Sequence, residues 1–211
     1  MNFKILIFCL TFLFCSTINQ ASNVDTSSLM YRSTKIPPSV KTPEIAFDIQ
    51  SFLPWREFKS FDGKFRVVVP EGEMTEKISK IKTDLGDIPF HTFLNRPKDK
   101  STDNMFYLVN YCDYPKGTFP ADSIDLINEF LTTTIEQSAH SVGGMITYSG
   151  DIEQRGSKGK IWRVQYNNDK ALIKSKCYIV GDRFYMIQTM MLREKAVNPS
   201  ADKFLDSFQF F

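Results

Sequence analysis

The stretch Phe61-Asp62-Gly63-Lys64-Phe65-Arg66-Val67-Val68-Val69-Pro70 decides the fold class. It follows a second β-prone run, Trp55 to Ser60. Asp62-Gly63 between two such runs predicts a two-residue hairpin, because Asp and Gly tolerate the positive φ that these turns need. Pro70 has no N–H to give to a ladder and ends the second strand. The folded part of the chain therefore opens near Trp55 as antiparallel β-structure.

The same grammar continues downstream. Glu76 to Thr83 and Ile88 to Leu94 flank Leu85-Gly86-Asp87, a second hairpin signal, and Arg96 to Asp103 reads as a charged loop. Met105 to Cys112 is a fifth, largely apolar strand. The pattern then changes period. Ile124, Ile127, Leu131 and Ile135 recur at three- and four-residue steps, predicting one long helix from about Ser123 to His140. Asp122 is placed to cap it, and Gly143-Gly144 stops it. Four more strands follow: Met145 to Glu153, Lys160 to Tyr166, Ala171 to Val180 and Phe184 to Met191. Asn168-Asp169 and Gly181-Asp182 supply turns, and Gly156 to Lys160 reads as a hairpin loop. Asn198 and Pro199 mark the cap and first residue of a short last helix. The expected class is α+β: an antiparallel sheet of about seven to nine strands with one long inserted helix and a short C-terminal one.

Upstream of this block the composition shifts. Lys4 precedes an apolar run from Ile5 to Phe14, and a small, polar exit follows to Ser22. That order predicts a secretory signal over residues 1–22, cleaved near Ala21 or Ser22. The run is too short for a span, which needs about 20 apolar residues. Cys15 raises the question of lipidation, but Phe14 stands where lipoprotein processing takes a small residue. Residues 23–53 are polar and carry Pro37, Pro38 and Pro43, the composition of an extended linker. Residues 54–211 are expected to form a single domain, periplasmic, envelope-associated or secreted. The chain has 26 basic and 24 acidic residues, far from the strongly basic balance of a nucleic-acid binder. Its 19 Phe, 8 Tyr and 2 Trp imply a packed aromatic interior.

Phe61 to Pro70, the Tyr178-to-Tyr185 segment around Gly181-Asp182, and the terminal Phe204, Ser207 and Phe208 together resemble the PsbP-like superfamily. The resemblance runs from about Trp55 to Phe211. It implies an antiparallel sheet sandwiched by helices, a fold shared by the photosystem II extrinsic subunit and a Ran-binding import factor. It also implies a non-enzymatic module that attaches to larger assemblies. No functional residue carries over with it.

Tests for chemistry return little. His91 lies in a predicted strand and His140 in the last turn of the helix. Cys112-Asp113 with His91 is the one conceivable thiol site. No Gly-x-Ser-x-Gly elbow, Cys-x-x-Cys or His-Glu-x-x-His is present, so neither a nucleophile nor a zinc of usual spacing is indicated. Gly143-Gly144 follows a helix where a phosphate cradle would open one. No cofactor is expected. Cys9 and Cys15 leave with the signal, and Cys112 and Cys177 are either one disulfide or two buried thiols.

One local bias stands out. Arg155, Lys158, Lys160, Arg163, Lys170, Lys174 and Lys176 face Asp169 alone in that interval. A turn at Asn168-Asp169 puts Arg163 opposite Lys174 and Ile161 opposite Lys176. Like charges in register destabilise a strand pair. Either acids such as Asp122, Asp125 and Glu129 neutralise them, or Arg163, Lys174 and Lys176 form a surface for an anionic partner. The functional expectation is an exported, non-catalytic accessory or binding domain held to an extracytoplasmic protein or anionic surface. The alternatives are a carrier of an apolar small molecule in a Phe-rich pocket, and a hydrolase of unrecognised type.

Overall fold

Ten strands and two α-helices are found among the residues that the computed structural model describes, 54–83, 85–98, 102–120 and 122–211. The expected signal at 1–22 and linker at 23–53 lie outside the described residues. In chain order the elements are β1 (Trp55–Ser60), β2 (Phe65–Pro70), β3 (Gly72–Thr83), β4 (Gly86–Pro97) and β5 (Asn104–Asp113). Helix α1 (Ile124–Ser141) comes next, then β6 (Met145–Gln154), β7 (Ser157–Tyr166), β8 (Ala171–Val180) and β9 (Arg183–Leu192). Helix α2 (Pro199–Ser207) and the two-residue β10 (Gln209–Phe210) close the chain.

The large sheet has the order β3-β4-β5-β9-β8-β7-β6, and its ladders are antiparallel. Helix α1 explains that order. It carries the chain from β5, in mid-sheet, to the far edge at β6, and three hairpins then return it until β9 lies beside β5. The small sheet has the order β1-β2-β10, with β2 in the middle. The α+β class and the long and short helices are as expected; the strands divide between two sheets.

Strand alternation gives the large sheet two buried faces. Phe106, Leu108, Trp162, Ile173, Phe184 and Met186 pack with Phe130, Leu131 and Ile135 of α1. Tyr107, Val109, Tyr111, Tyr185 and Ile187 point the other way, against Phe65, Val67, Phe204 and Phe208 of the small sheet and α2. Phe65 lies at the centre of this second layer, its ring 5.5 Å from that of Phe93 and 5.6 Å from that of Phe208. Burying such a side chain contributes about 1.5–3 kcal/mol, against about 0–1 kcal/mol for a surface ion pair. Apolar packing therefore holds α2 and the small sheet in place, and charge tunes it.

Local chemistry departs from expectation at several turns. Ser60 pairs with Phe65, so the first hairpin has a four-residue loop. Lys64 takes its positive φ of 50°, and Gly63 is required for space instead. A Cβ on Gly63 would lie 2.6 Å from the Phe65 ring. The turn between β6 and β7 is Arg155-Gly156, both at positive φ, so Ser157 to Lys160 belong to the strand and not to a loop. Ser123, not Asp122, is the α1 cap, without a side-chain cap bond. Asn198 caps α2 as expected, its side chain accepting from the Ala201 N–H at 2.7 Å.

Candidate functional site

Strand parity separates the groups that a thiol site needs. His91 pairs with Tyr111, and Cys112 pairs with Phe90, so the imidazole and the thiol leave the sheet on opposite faces. His91 stacks on the Tyr111 ring at 4.3 Å and faces Glu76 at 3.4 Å. Cys112 is fully buried under α1, and burial pushes its thiol up to about 12. A thiol held protonated in this way is no nucleophile. His140 lies exposed at the end of α1.

Cys112 and Cys177 are free thiols, and the bridge considered between them is not made. Strand β9 separates β5 from β8, so the two lie about 10 Å apart across the sheet. A disulfide requires Cα atoms within about 7 Å. Burial lifts Cys177 to about 12 as well.

The basic hairpin has the register that the sequence implies: Arg163 opposite Lys174 and Ile161 opposite Lys176. Its compensation comes from elsewhere than expected. Helix α1, with Asp125 and Glu129, covers the Trp162 and Val164 face of β7, opposite to Arg163. The acids that meet the lysines belong to α2: Lys174 Nζ lies 3.1 Å from Asp202, and Lys176 Nζ lies 2.6 Å from Asp206. Lys160 and Lys158 pair in register with Asp151 and Glu153 of β6, each at 2.6 Å. Arg155 donates to the Phe210 carbonyl at 2.9 Å. Arg163 and Lys170 have no carboxylate partner among the described residues.

Arg163 opens onto a surface recess of about 260 Å³ between β6, β7, β8 and α2. Tyr148, Ile161, Lys174, Asp202 and Leu205 line it. Tyr148 is the cross-strand neighbour of Arg163, on the free edge strand β6. Its hydroxyl lies 3.1 Å from where a Gly150 Cβ would stand, so the ring runs along its own strand. The result is one guanidinium beside an aromatic ledge, with anion-binding capacity and no nucleophile at hand. No cluster of three or more metal-ligating acids, histidines or cysteines exists among the described residues. A second recess, about 440 Å³, is lined by Arg56, Glu71, Glu73, Arg96 and Lys98 in mixed charge.

Sequence reasoning missed a further polar cluster at the opposite end of the sheet. Arg183 donates through Nε and Nη2 to the two Asp113 oxygens at 2.5 and 2.7 Å, and through Nη1 to the Asp62 carbonyl at 2.8 Å. The neighbouring Asp182 carboxylate accepts from the N–H groups of Gly117 and Phe119 at 2.8 and 2.9 Å. Those backbone donors, Phe119 foremost, hold its pKa below the usual value. The group is a structural clamp. Only the turn residues Asp62-Gly63 and Gly181-Asp182 hinted at it.

The fold of this chain is similar to that of a cyanobacterial PsbP. That solution structure, CyanoP from Synechocystis sp. PCC 6803, is 13% identical, with 74% of this chain and 92% of that chain covered at a TM-score of 0.49. No family model and no curated protein sequence matches. The likeness carries neither partner nor activity across. No helix among the described residues is long and apolar enough to cross a membrane.

Proposed function

We propose that this chain is a non-catalytic binding domain that works outside the cytoplasm, exported by its first 22 residues and held away from its point of attachment by residues 23–53. Its binding surface is the ledge formed by Tyr148 and Arg163. One observation carries the reading. Four of the seven cations in the basic hairpin are matched by acids of the same chain, while Arg163 remains without one at a recess. An unmatched, half-buried guanidinium is a desolvation cost that an anionic partner relieves.

The aromatic interior supports the carrier alternative less well, because its rings pack on one another at 4.9 to 6.4 Å. The larger recess is lined by charged side chains. The one at Arg163, though Tyr148, Ile161, Trp162 and Leu205 give it apolar walls, holds only about 260 Å³ and carries Arg163, Lys174 and Asp202 as well. The test is affinity capture with the full chain from the envelope fraction of its own cells, run beside Arg163→Glu. A partner retained by the natural chain and lost by the variant supports the reading. A partner retained equally by both moves the binding surface elsewhere, and capture of none by either overturns the function.

A further inference from the structure

The two edges of the large sheet are built differently. Edge strand β3 carries Glu73, Glu76, Lys77, Lys80 and Lys82, the charges with which proteins keep an edge from pairing with another chain. Edge strand β6 has no charge from Met145 to Gly150, and the two acids that follow, Asp151 and Glu153, are paired with Lys160 and Lys158 of β7. Met145 is 63% exposed, Ile146 37% and Tyr148 52%. The ladder shifts between Ile146 and Tyr148 and runs regularly from there to Gln154, hydrogen-bonded to β7 on one side only. Its outward N–H and C=O groups are a template for one more strand.

Charge selects the kind of strand. One laid beside β6 stands about 4.8 Å from it, and about twice that from β7. Its side chains on the α2 face run in line with Tyr148 and then Arg163. Because the Tyr148 ring lies over Gly150, the way from the edge to the guanidinium is open. Lys170, in the loop between β7 and β8, adds a second cation without a carboxylate partner among the described residues. A basic strand would meet both.

We propose that β6 takes up an extended acidic segment of another protein as the eighth strand of the large sheet, with a partner carboxylate on Arg163. Main-chain bonds supply affinity and the carboxylate supplies selection, as in other strand-addition complexes. The proposal rests on the binding function above and adds the chemistry of the partner.

The probe is a blocked peptide of alternating valine and glutamate, in which every second register offers a row of carboxylates to the Arg163 face. A valine–lysine peptide is the control. With the full chain, the acidic peptide is expected to bind saturably and to slow amide exchange across Met145–Gln154 while leaving β3 unchanged. Arg163→Gln should weaken it by about tenfold or more, with the melting temperature unchanged. Tyr148→Glu, which gives the edge a guarding charge of the peptide's own sign, should do the same. Absence of binding at about 1 mM peptide overturns the proposal. So does binding without protection of β6, binding that ignores both substitutions, or equal binding of the lysine peptide. If a captured cellular partner survives both substitutions, strand addition fails and a binding function remains; if no partner is captured, it is the function that fails.

Discussion

The Tyr185 hydroxyl donates to the carbonyl oxygen of Gly63 across 2.7 Å, tying the start of β9 to the turn of the small sheet. The two residues are far apart in sequence, and the bond is buried. Tyr185→Phe leaves that carbonyl unpaired inside the protein. The expected loss is about 1–2 kcal/mol, seen as a lower urea midpoint at unchanged slope. An unchanged midpoint would mean that water reaches the carbonyl and the tie is dispensable.

Gly72 sits where the chain leaves the small sheet and enters the large one. A Cβ there would stand 2.0 Å from the Arg96 carbonyl oxygen, which is backbone and cannot swing away. Gly72→Ala is expected to destabilise by about 2–3 kcal/mol. Gly117→Ala is the control. Its φ is +84° with nothing within 4 Å, so only conformational strain of about 1–2 kcal/mol applies. Melts that rank the two variants in the reverse order would refute the steric account.

Much of this architecture was legible because strand and helix periods are local. The register of Arg163 with Lys174 followed from one turn, and the α2 cap from Asn198-Pro199. What stayed hidden depends on which strands become neighbours. Asp202 and Asp206 reach Lys174 and Lys176 only because α2 folds back over β8, and nothing near Lys174 in sequence announces it. Cys112 and Cys177 looked pairable until β9 came between them. The isolation of Arg163, on which the candidate site rests, is a remainder that appears only once Lys158, Lys160, Lys174 and Lys176 have found their acids.

Buried phenols and thiols set the alkaline limit of stability. Burial raises Tyr107, Tyr111, Tyr166 and Tyr178 from 10.0 to about 12, and Cys112 and Cys177 from 9.0 to about 12. These groups keep their protons longer in the native state than in the unfolded one. Their contribution is whole below about pH 9 and is lost as pH rises towards 12. Thermal melts should therefore fall steeply across that window, with tyrosinate absorbance rising together with unfolding. Tyrosinate from these four phenols appearing well before unfolding would contradict the assigned burial. In the same samples a thiol reagent should label neither cysteine at neutral pH, and reductant should leave the melting temperature unchanged.

Reversing charge at Lys174 and at Arg163 should have opposite effects. Lys174 is held by Asp202 at 3.1 Å, with the lysine side chain 18% exposed and the aspartate 63%. In Lys174→Glu a carboxylate replaces that pairing with repulsion, while Arg163 across the ladder returns part of the loss. Because Asp202 is well solvated, the net destabilisation should be under about 1 kcal/mol and should shrink further in salt. Adding Asp202→Lys to it restores an ion pair and should recover most of the loss. Arg163→Glu creates a new cross-strand pair with Lys174, so its stability should hold or rise slightly while any anionic partner is rejected. Urea midpoints for the four chains decide the matter. If Lys174→Glu is the more stable of the two single variants, Asp202 is not the partner that governs Lys174, and the claim that Arg163, and not Lys174, is left for a ligand falls with it.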